Sequence, residues 1–378
     1  MSEATVSHGM GGAVKGSRGR PIGGDAVLTP LRTVGARFAL EPLGVRLDAM
    51  RALLDADRAA LTSELEALRR CDADLAQRAA SWLLGRPGKR IRPLCVVLGA
   101  RLCAADHGER PGALPARAIH DLALACELAH NATLLHDDVV DLSDERRGER
   151  TARLVYGNPA SVLGGDHLLV ESLRRVHGVG IPALLSSFLD VIAAMVAGEA
   201  LQLERRGRFD ADPAQYDRVV AAKTASLFAW ALRAGAHAGG ATPAEIDAAV
   251  RFGHALGVAF QLIDDALDVG GDPARTGKDG LLDLREGKLT WPLLVACERE
   301  PSLLGALRAV AARPEALEDV DARNALRDRL RATGCIEATR ARARAFAAEA
   351  REALQAFPPS AERHALEALA EAAVEREA

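Results

Sequence analysis

Apolar residues recur along most of the chain at the spacing of an α-helix. From about residue 45, apolar side chains step by three, four or seven and share one face of a long predicted helix: Leu47, Met50, Leu54, Leu61, Leu65 and Leu68. The step of seven skips one turn, where Asp57 and Arg58 interrupt the apolar stripe. We predict one continuous helix across this interruption.

Similar periods continue towards the end of the chain, separated by segments rich in Gly and Pro. We predict helices at about 75–84, 89–105, 115–141, 159–176, 182–204, 213–238, 243–270, 288–298, 302–312, 320–332, 336–356 and 361–376. No segment has the alternation of a β-strand. The pattern therefore predicts a single all-α domain, a bundle of roughly ten or more helices.

Residues 1–40 differ from the rest because they are rich in Gly and Ser and lack a helical period. We predict a disordered tail there, followed by the all-α domain over 41–378. No apolar run reaches the length of a membrane span, and the first residues lack the apolar segment of a secretory signal. The sequence predicts no transmembrane segment.

Composition narrows the possible partners. The chain carries 48 Lys and Arg against 52 Asp and Glu, and a net charge of −4 does not indicate a nucleic-acid partner. Aromatic residues make up 3% of the chain, too few for a base-stacking surface. The six cysteines form no CxxC pair and no zinc spacing, which is typical of reduced thiols in a cytoplasmic protein.

Two acidic clusters interrupt apolar helices, LLHDDVVD at 134–141 and QLIDDALD at 261–268. Each contains DDxxD, and residues i and i+4 lie on the same side of a helix, where like charges repel. Apolar flanks indicate partial burial, which is costly for carboxylates without partners. Mg²⁺ would resolve this cost, since it prefers one or two carboxylates together with water and phosphate oxygens. The metal candidates are Asp137, Asp138, Asp141, Asp264, Asp265 and Asp268.

One acidic cluster alone is equally well explained as a solvated helix face. The second copy favours a metal site, and cations at four places suit bound phosphate. They are Lys89, Arg90 and Arg92 in GRPGKRIRP, Arg146 and Arg147 after the first cluster, Lys223 beside Thr224 in an apolar helix, and Lys278 and Lys288 after the second cluster. Each alone reads as a surface cation, but together they favour two diphosphates bound near one metal site.

These segments resemble the trans-isoprenyl diphosphate synthases, or polyprenyl synthetases, over about residues 45–356. In family order the chain contains GKRIRP, LLHDDVVDLSDERRG, GEALQLE, KTASLF, FQLIDDALD and TGKDGLLDLREGKLTWP. The resemblance implies an all-α fold of the isoprenoid synthase type around a central cavity, a homodimer, and roughly two or three Mg²⁺ ions. It implies head-to-tail condensation of isopentenyl diphosphate with an allylic diphosphate.

The resemblance also implies a role for each motif residue. Magnesium would be held by Asp137, Asp141 and Asp264, with support from Asp138, Asp265 and Asp268. The allylic diphosphate would contact Arg146, Lys223, Gln261 and Lys278. Isopentenyl diphosphate would contact Lys89, Arg92, His130 and Arg147. Thr224 would lie close to the reacting carbons and Lys288 near the opening of the site.

Product length in such enzymes depends on bulk just before the first DDxxD, about 5 Å deeper in the cavity. Ala132 and Thr133 occupy that turn, and both are small. The segment ATLLHDDVVD is similar to that of long-chain members. Because small residues leave this turn open, we predict an all-trans product of more than about four isoprene units.

Three alternatives remain open on the sequence. A short-chain (farnesyl or geranylgeranyl) diphosphate synthase would share the same motifs. A class I terpene cyclase also uses an aspartate-rich helix, but it lacks the GKxxRP turn for a second diphosphate. A non-catalytic subunit of a two-component synthase typically loses aspartates, whereas this chain keeps all six.

Overall fold

A computed structural model describes residues 41–70, 74–86, 88–104, 110–146, 148–271 and 280–376. Most of these residues are helical, so the predicted all-α bundle of ten or more helices is confirmed. A short antiparallel hairpin, which the periodicity did not predict, pairs Glu145–Arg146 (β1) with Glu149–Arg150 (β2). The predicted disordered tail lies outside the described residues.

The helices follow one another with short connections. In chain order they are α1 (Glu41–Leu53), α2 (Asp55–Arg69), α3 (Leu75–Leu84), α4 (Ile91–Ala104), α5 (Ala116–Val140), α6 (Ala152–Tyr156), α7 (Asn158–Gly178), α8 (Pro182–Arg205), α9 (Pro213–Val220), α10 (Ser226–Ala238), α11 (Pro243–Gly270), α12 (Leu282–Arg285), α13 (Trp291–Arg299), α14 (Leu303–Ala312), α15 (Val320–Ala332), α16 (Cys335–Ala353) and α17 (Ala361–Val374).

The first predicted helix is wrong as one continuous element. It is divided at Leu54, whose φ of −107° and ψ of 6° separate α1 from α2. Asp57 lies in the first turn of α2 and faces inward, where Arg101 on α4 donates to its Oδ2 at 2.5 Å. His120 on α5 lies 3.0 Å from the other oxygen. The polar turn that interrupts the apolar stripe therefore holds a partly buried ion pair close to the break.

The predicted helix at 213–238 is also divided. A π-helical turn, Ala221–Ala225, lies between α9 and α10 and carries Lys223 and Thr224. Such turns are rare and occur frequently at functional sites. Gly198 on α8 approaches this turn so closely that a Cβ there would lie 2.9 Å from the Cβ of Ala222.

The core is organised around α5, which packs along α7, while α10 packs against both α4 and α11. Glycine permits the closest of these contacts. A Cβ on Gly235 of α10 would lie 2.2 Å from the carbonyl oxygen of Val96, and one on Gly253 of α11 would lie 2.5 Å from that of Phe228. Helix α11 packs further against α16, and the last helix, α17, packs against α1.

The described cysteines are free thiols in the core, as predicted. Burial raises the pKa of Cys95 to about 12, and burial with the nearby Glu245 raises that of Cys103 to about 12. These thiols are therefore protonated at neutral pH and serve as packing residues of the core.

Two helices, α8 and α11, are long and apolar enough by length and composition to cross a bilayer, which differs from the expectation drawn from the sequence. Helix α11 is a core helix with 61% of its apolar window buried. Helix α8 has only 22% of its window buried. Its outward side exposes apolar residues that include Leu189 and Val196.

Candidate active site

A cavity of about 810 Å³ lies among α4, α5, α7, α8, α10 and α11. Asp137 from the first acidic cluster and Asp264 from the second both line it. Its apolar wall includes Leu169, Ile192 and Met195. The two aspartate-rich helices therefore face one shared, largely apolar space.

The three aspartates of the first cluster have different surroundings. Asp137 faces the cavity, with its Oδ2 3.5 Å from Lys223 Nζ. Asp138 is 1% exposed and accepts a hydrogen bond from Arg146 Nε at 2.6 Å. Asp141 accepts from Arg206 at 2.6 Å and from Lys288 at 3.0 Å.

The second cluster divides in a similar way. Asp264 lines the cavity and has 43% of its side chain exposed. Asp265 is 1% exposed and accepts from the Tyr216 hydroxyl at 2.6 Å and from Gln261 Nε2 at 2.8 Å. Asp268 accepts from the backbone N–H groups of Leu282 and Asp283 at 2.9 and 3.2 Å.

Burial makes several of these carboxylates difficult to ionise. It raises the pKa of Asp137, and Glu199 and Asp141 raise it further, against the opposing effect of Lys223. Burial also raises the pKa of Asp265, which has Asp283 nearby, and the pKa of Asp268. Because burial and neighbouring carboxylates oppose the ionised forms of these groups, a divalent cation bound beside them would favour ionisation and be stabilised in turn.

The donor set also fits a cation that needs few protein ligands. Oδ2 of Asp138 is buried and has no hydrogen-bond partner among the described residues. Among all the residues that the structure describes, no three His, Cys, Asp or Glu side chains are grouped closely enough to hold a metal ion by themselves. Mg²⁺ keeps water and substrate oxygens in its coordination shell and binds through one or two carboxylates, so it suits such an open arrangement.

Besides Arg146 and Lys223, a second group of basic side chains lines the cavity. Lys89 and Arg92 lie around the start of α4, and His130 lies on α5. Arg92 is held over the Phe228 ring, 4.4 Å from its centre, and burial lowers the pKa of its guanidinium. Arg90 has a φ of 45°, an uncommon conformation for a non-glycine residue that occurs often at functional sites. The GKRIRP turn therefore presents its cations from a strained backbone.

The π turn supplies a polar chain that reaches the second cluster. Lys223 forms an ion pair with Glu199 and donates to Gln202 at 3.2 Å. Thr224 donates to Gln261 Oε1 at 2.8 Å, and Gln261 in turn donates to Asp265. Two residues on adjacent π-turn positions thus connect to both acidic clusters.

A smaller cavity of about 180 Å³ lies beyond Lys223, Thr224 and Gln261 and is lined by Lys288. Burial alone would lower the pKa of Lys288, but Glu286, Asp283 and Asp141 raise it above its usual value. Lys288 thus joins the first cluster to the segment that follows α11.

Sequence reasoning placed most candidates but missed several residues. Arg147 and Lys278 lie outside the described residues. Ala132 and Thr133 both line the large cavity.

Several contacts to the aspartates were not predicted from the sequence. They come from Arg206, Tyr216, Asp283 and Arg376. Only Tyr216, seven residues before Lys223 and so two turns away on the same helix side, had a spacing that could have revealed it.

An all-α bundle whose apolar cavity carries two aspartate-rich helices and two groups of cations defines the isoprenoid synthase class. A sequence model of the polyprenyl synthetase family matches residues 73–326. The chain belongs to this family.

Individual proteins agree with this assignment. The chain is 35% identical to octaprenyl diphosphate synthase of Escherichia coli (strain K12), over 88% of this chain and 100% of that protein. A polyprenyl synthase from Caulobacter crescentus CB15, crystallised with calcium and isoprenyl diphosphate, superposes with a TM-score of 0.79 at 37% identity, over 88% of this chain and 98% of that one. A decaprenyl diphosphate synthase from Rhodobacter capsulatus gives a TM-score of 0.77 at 33% identity, over 88% and 99%.

Proposed function

We propose that this chain is a Mg²⁺-dependent trans-prenyltransferase that condenses isopentenyl diphosphate with an allylic diphosphate to make a long-chain polyprenyl diphosphate. The observation that carries the proposal is the shared cavity, which Asp137 and Asp264 line together with both groups of cations. The names of the octaprenyl and decaprenyl relatives support a long-chain product.

Magnesium would be held by Asp137, Asp141 and Asp264, with Asp138, Asp265 and Asp268 supporting the site. Bound magnesium would supply positive charge to the diphosphate that departs. The calcium in the Caulobacter crescentus relative supports a divalent-cation site in this fold. The buried, hard-to-ionise carboxylates support it in this chain.

The two groups of cations would separate the two substrates. The allylic diphosphate would contact Arg146, Lys223, Gln261 and Lys278. Isopentenyl diphosphate would contact Lys89, Arg92, His130 and Arg147. Lysine gives a point charge, and arginine gives a planar fork that matches phosphate oxygens, so these side chains suit the two diphosphates.

In the proposed reaction the allylic C–O bond breaks, the double bond of isopentenyl diphosphate forms the new C–C bond, and a proton leaves the neighbouring carbon. Lys223 and Arg146 stabilise the charge that develops on the departing diphosphate. Thr224 lies close to the reacting carbons, and the apolar wall keeps water away from the allylic cation. The departed diphosphate accepts the proton, so no protein base is needed.

The growing chain would extend along the apolar wall past Ala132 and Thr133. Small side chains there leave space for it, and Leu169, Ile192 and Met195 offer an apolar surface. This arrangement supports a product longer than a short-chain synthase would make.

We further propose that the protein is a cytoplasmic homodimer. The free, buried cysteines support a reducing compartment. Helices α7 and α8 expose neighbouring apolar side chains, including Leu163, Val170 and Leu189, which a second copy would cover.

The test incubates pure protein with Mg²⁺, isopentenyl diphosphate and each allylic primer in turn, and measures products by mass. Long all-trans products that disappear with EDTA are expected. Conversion of an allylic diphosphate without isopentenyl diphosphate would indicate a cyclase. Products of only three or four isoprene units would indicate a short-chain synthase, and inactivity restored by a second protein would indicate a subunit of a two-component enzyme.

A further inference from the structure

Arg376, two residues beyond the end of α17, closes one side of the second acidic cluster. Arg376 is 2% exposed, and its Nη1 lies 2.9 Å from Oδ1 of Asp264. Its Nη2 donates to the carbonyl of Phe260 at 3.0 Å, and its Nε donates to the carbonyl of Ala373 at 3.1 Å. The guanidinium also lies over the Phe260 ring, 3.9 Å from its centre.

The backbone of Arg376 is held by a second arginine. Both Nη atoms of Arg340 on α16 approach its backbone carbonyl oxygen at 3.3 Å. Because every guanidinium nitrogen has a partner and the backbone is anchored, the charge has one position relative to Asp264. Phe260 and Asp264 both line the cavity, so this position is at the cavity wall.

In the second cluster, two aspartates have neutral hydrogen-bond donors as partners and one is paired with a charged arginine. Asp265 is held by a hydroxyl and an amide, and Asp268 by backbone N–H groups. Asp264 is the one of the three that lines the cavity, and its ion pair is with a buried arginine. A buried arginine carries a large desolvation cost, which an ion pair and well-aligned hydrogen bonds offset.

We propose that Arg376 is a positioning residue for the reaction. It holds Asp264 through Oδ1 and leaves Oδ2 for a metal ion in the cavity that Asp264 lines, where the diphosphate would lie. This inference rests on the proposed function, because it assigns Asp264 to metal binding. If Arg376 has this role, the metal site has its correct shape only when the end of the chain after α17 is packed against α11.

The experiment measures Mg²⁺ binding by calorimetry with inorganic pyrophosphate present, for the full chain and the variants Arg376→Met and Arg376→Lys. Partners that orient a metal ligand typically change metal affinity by about 10- to 100-fold when they are removed. Arg376→Met should therefore raise the apparent dissociation constant for Mg²⁺ about tenfold. Arg376→Lys should cause a smaller rise, since lysine keeps the charge but cannot bond all three acceptors.

Arg363→Met is the matched control. Arg363 lies on α17, the helix that precedes Arg376, and donates to one carboxylate, Glu367, and to one backbone carbonyl, that of Phe357. The Arg363→Met variant should have a Mg²⁺ affinity within about twofold of that of the unaltered protein, and a lower melting temperature in EDTA. In an Asp264→Asn background, Arg376→Lys should no longer change Mg²⁺ affinity, because the two effects act through one contact.

Each outcome decides the inference. Equal Mg²⁺ affinity of the Arg376 variants and the unaltered protein, with only melting temperature reduced, would mean that Arg376 merely fastens α17, and the proposal would be wrong. Should Arg376→Met not fold, Arg376→Lys decides alone by the same criterion. Failure of the unaltered protein to bind Mg²⁺ with pyrophosphate, or to make polyprenyl product, would instead overturn the proposed function.

Discussion

At the scale of single residues, the two DDxxD clusters repeat one arrangement. The first aspartate of each, Asp137 and Asp264, lines the cavity, and the second, Asp138 and Asp265, is buried and hydrogen-bonded. Adjacent residues on a helix point about 100° apart, so a pair of aspartates supplies one ligand and one internal acceptor. The clusters therefore contain distinct roles rather than three equivalent carboxylates.

Replacement of the cavity-facing aspartates tests this difference. Asp137→Asn and Asp264→Asn should each lower kcat by about 100-fold at fixed Mg²⁺, because a neutral amide binds a hard cation poorly. Initial rates over a Mg²⁺ series measure the effect. Asp217→Asn, at an exposed ion pair with Arg342, is the control and should keep nearly full activity. Wild-type rates in either cavity variant would contradict the assignment.

Tyr216 tests the internal acceptor. Tyr216→Phe removes the hydroxyl that donates to the buried Asp265 carboxylate, which should cost about 1–3 kcal/mol of unfolding free energy. Urea denaturation measures this loss. The other tyrosine, Tyr156, packs edge-on against Trp82, and Tyr156→Phe should cost less. Equal losses in the two variants would argue against a special role for the Asp265 contact.

At the scale of elements, helix contacts set where the functional residues stand. Helix α10 lies close to α4 because Gly235 has no Cβ, and α4 begins at Ile91, within the GKRIRP segment. The π turn between α9 and α10 sets the position of Lys223 and Thr224. Small residues at helix contacts thus bring the two groups of cations to one cavity.

Gly235→Ala should destabilise the protein. The added Cβ would lie 2.2 Å from the Val96 carbonyl oxygen, so two helix backbones must move apart, at a cost of about 1–3 kcal/mol. Gly305→Ala on α14 is the control, since nothing lies within 4 Å of a Cβ there. That change should stabilise the helix by about 0.5–1 kcal/mol. Chemical denaturation of both variants gives the comparison, and a stable Gly235→Ala protein would contradict the close contact.

Bulk on the α5 wall should shorten the product. Ala132 lines the cavity and is 1% exposed, so Ala132→Phe places a ring where the growing chain would pass. Product sizing by mass should show fewer isoprene units. The rate of the first condensation should change little, because the short first product would not reach this turn. Ala132→Ser keeps the residue small and should leave the distribution as it is. An unchanged distribution with Phe would place the limit on length elsewhere.

At the scale of the whole molecule, α7 and α8 expose apolar side chains on their outward side. Helix α8 is long and apolar, yet little of its apolar window is buried within one chain. The proposed second copy would cover this area, and such cover would be favourable because apolar area in contact with water is unfavourable.

A charge on this surface should separate the proposed dimer. Leu189→Glu places a carboxylate in the proposed contact, and sedimentation velocity should show a shift from dimer to monomer at micromolar concentration. Val320→Glu is the control, at an exposed apolar position on α15 away from this surface. A Leu189→Glu protein that sediments like the unaltered chain would contradict the assignment of this face.

The sequence alone determined the all-α class, nearly every helix and the identity of the acidic and basic motifs. These features depend on local periodicity and on residue type, both of which can be read along the chain. The site could be predicted as far as its motif residues, because Asp137 and Lys223 belong to segments with a recognisable spacing.

Only the tertiary structure decided the break at Leu54, the π turn and the partners of the aspartates. Asp57 is buried in the first turn of α2, where it pairs with Arg101 and His120, which are distant in sequence. The ion pair of Arg376 with Asp264 joins residues that are remote in sequence and share no motif. Such contacts depend on how helices pack, since packing sets which distant side chains meet, and periodicity within one helix carries no information about them.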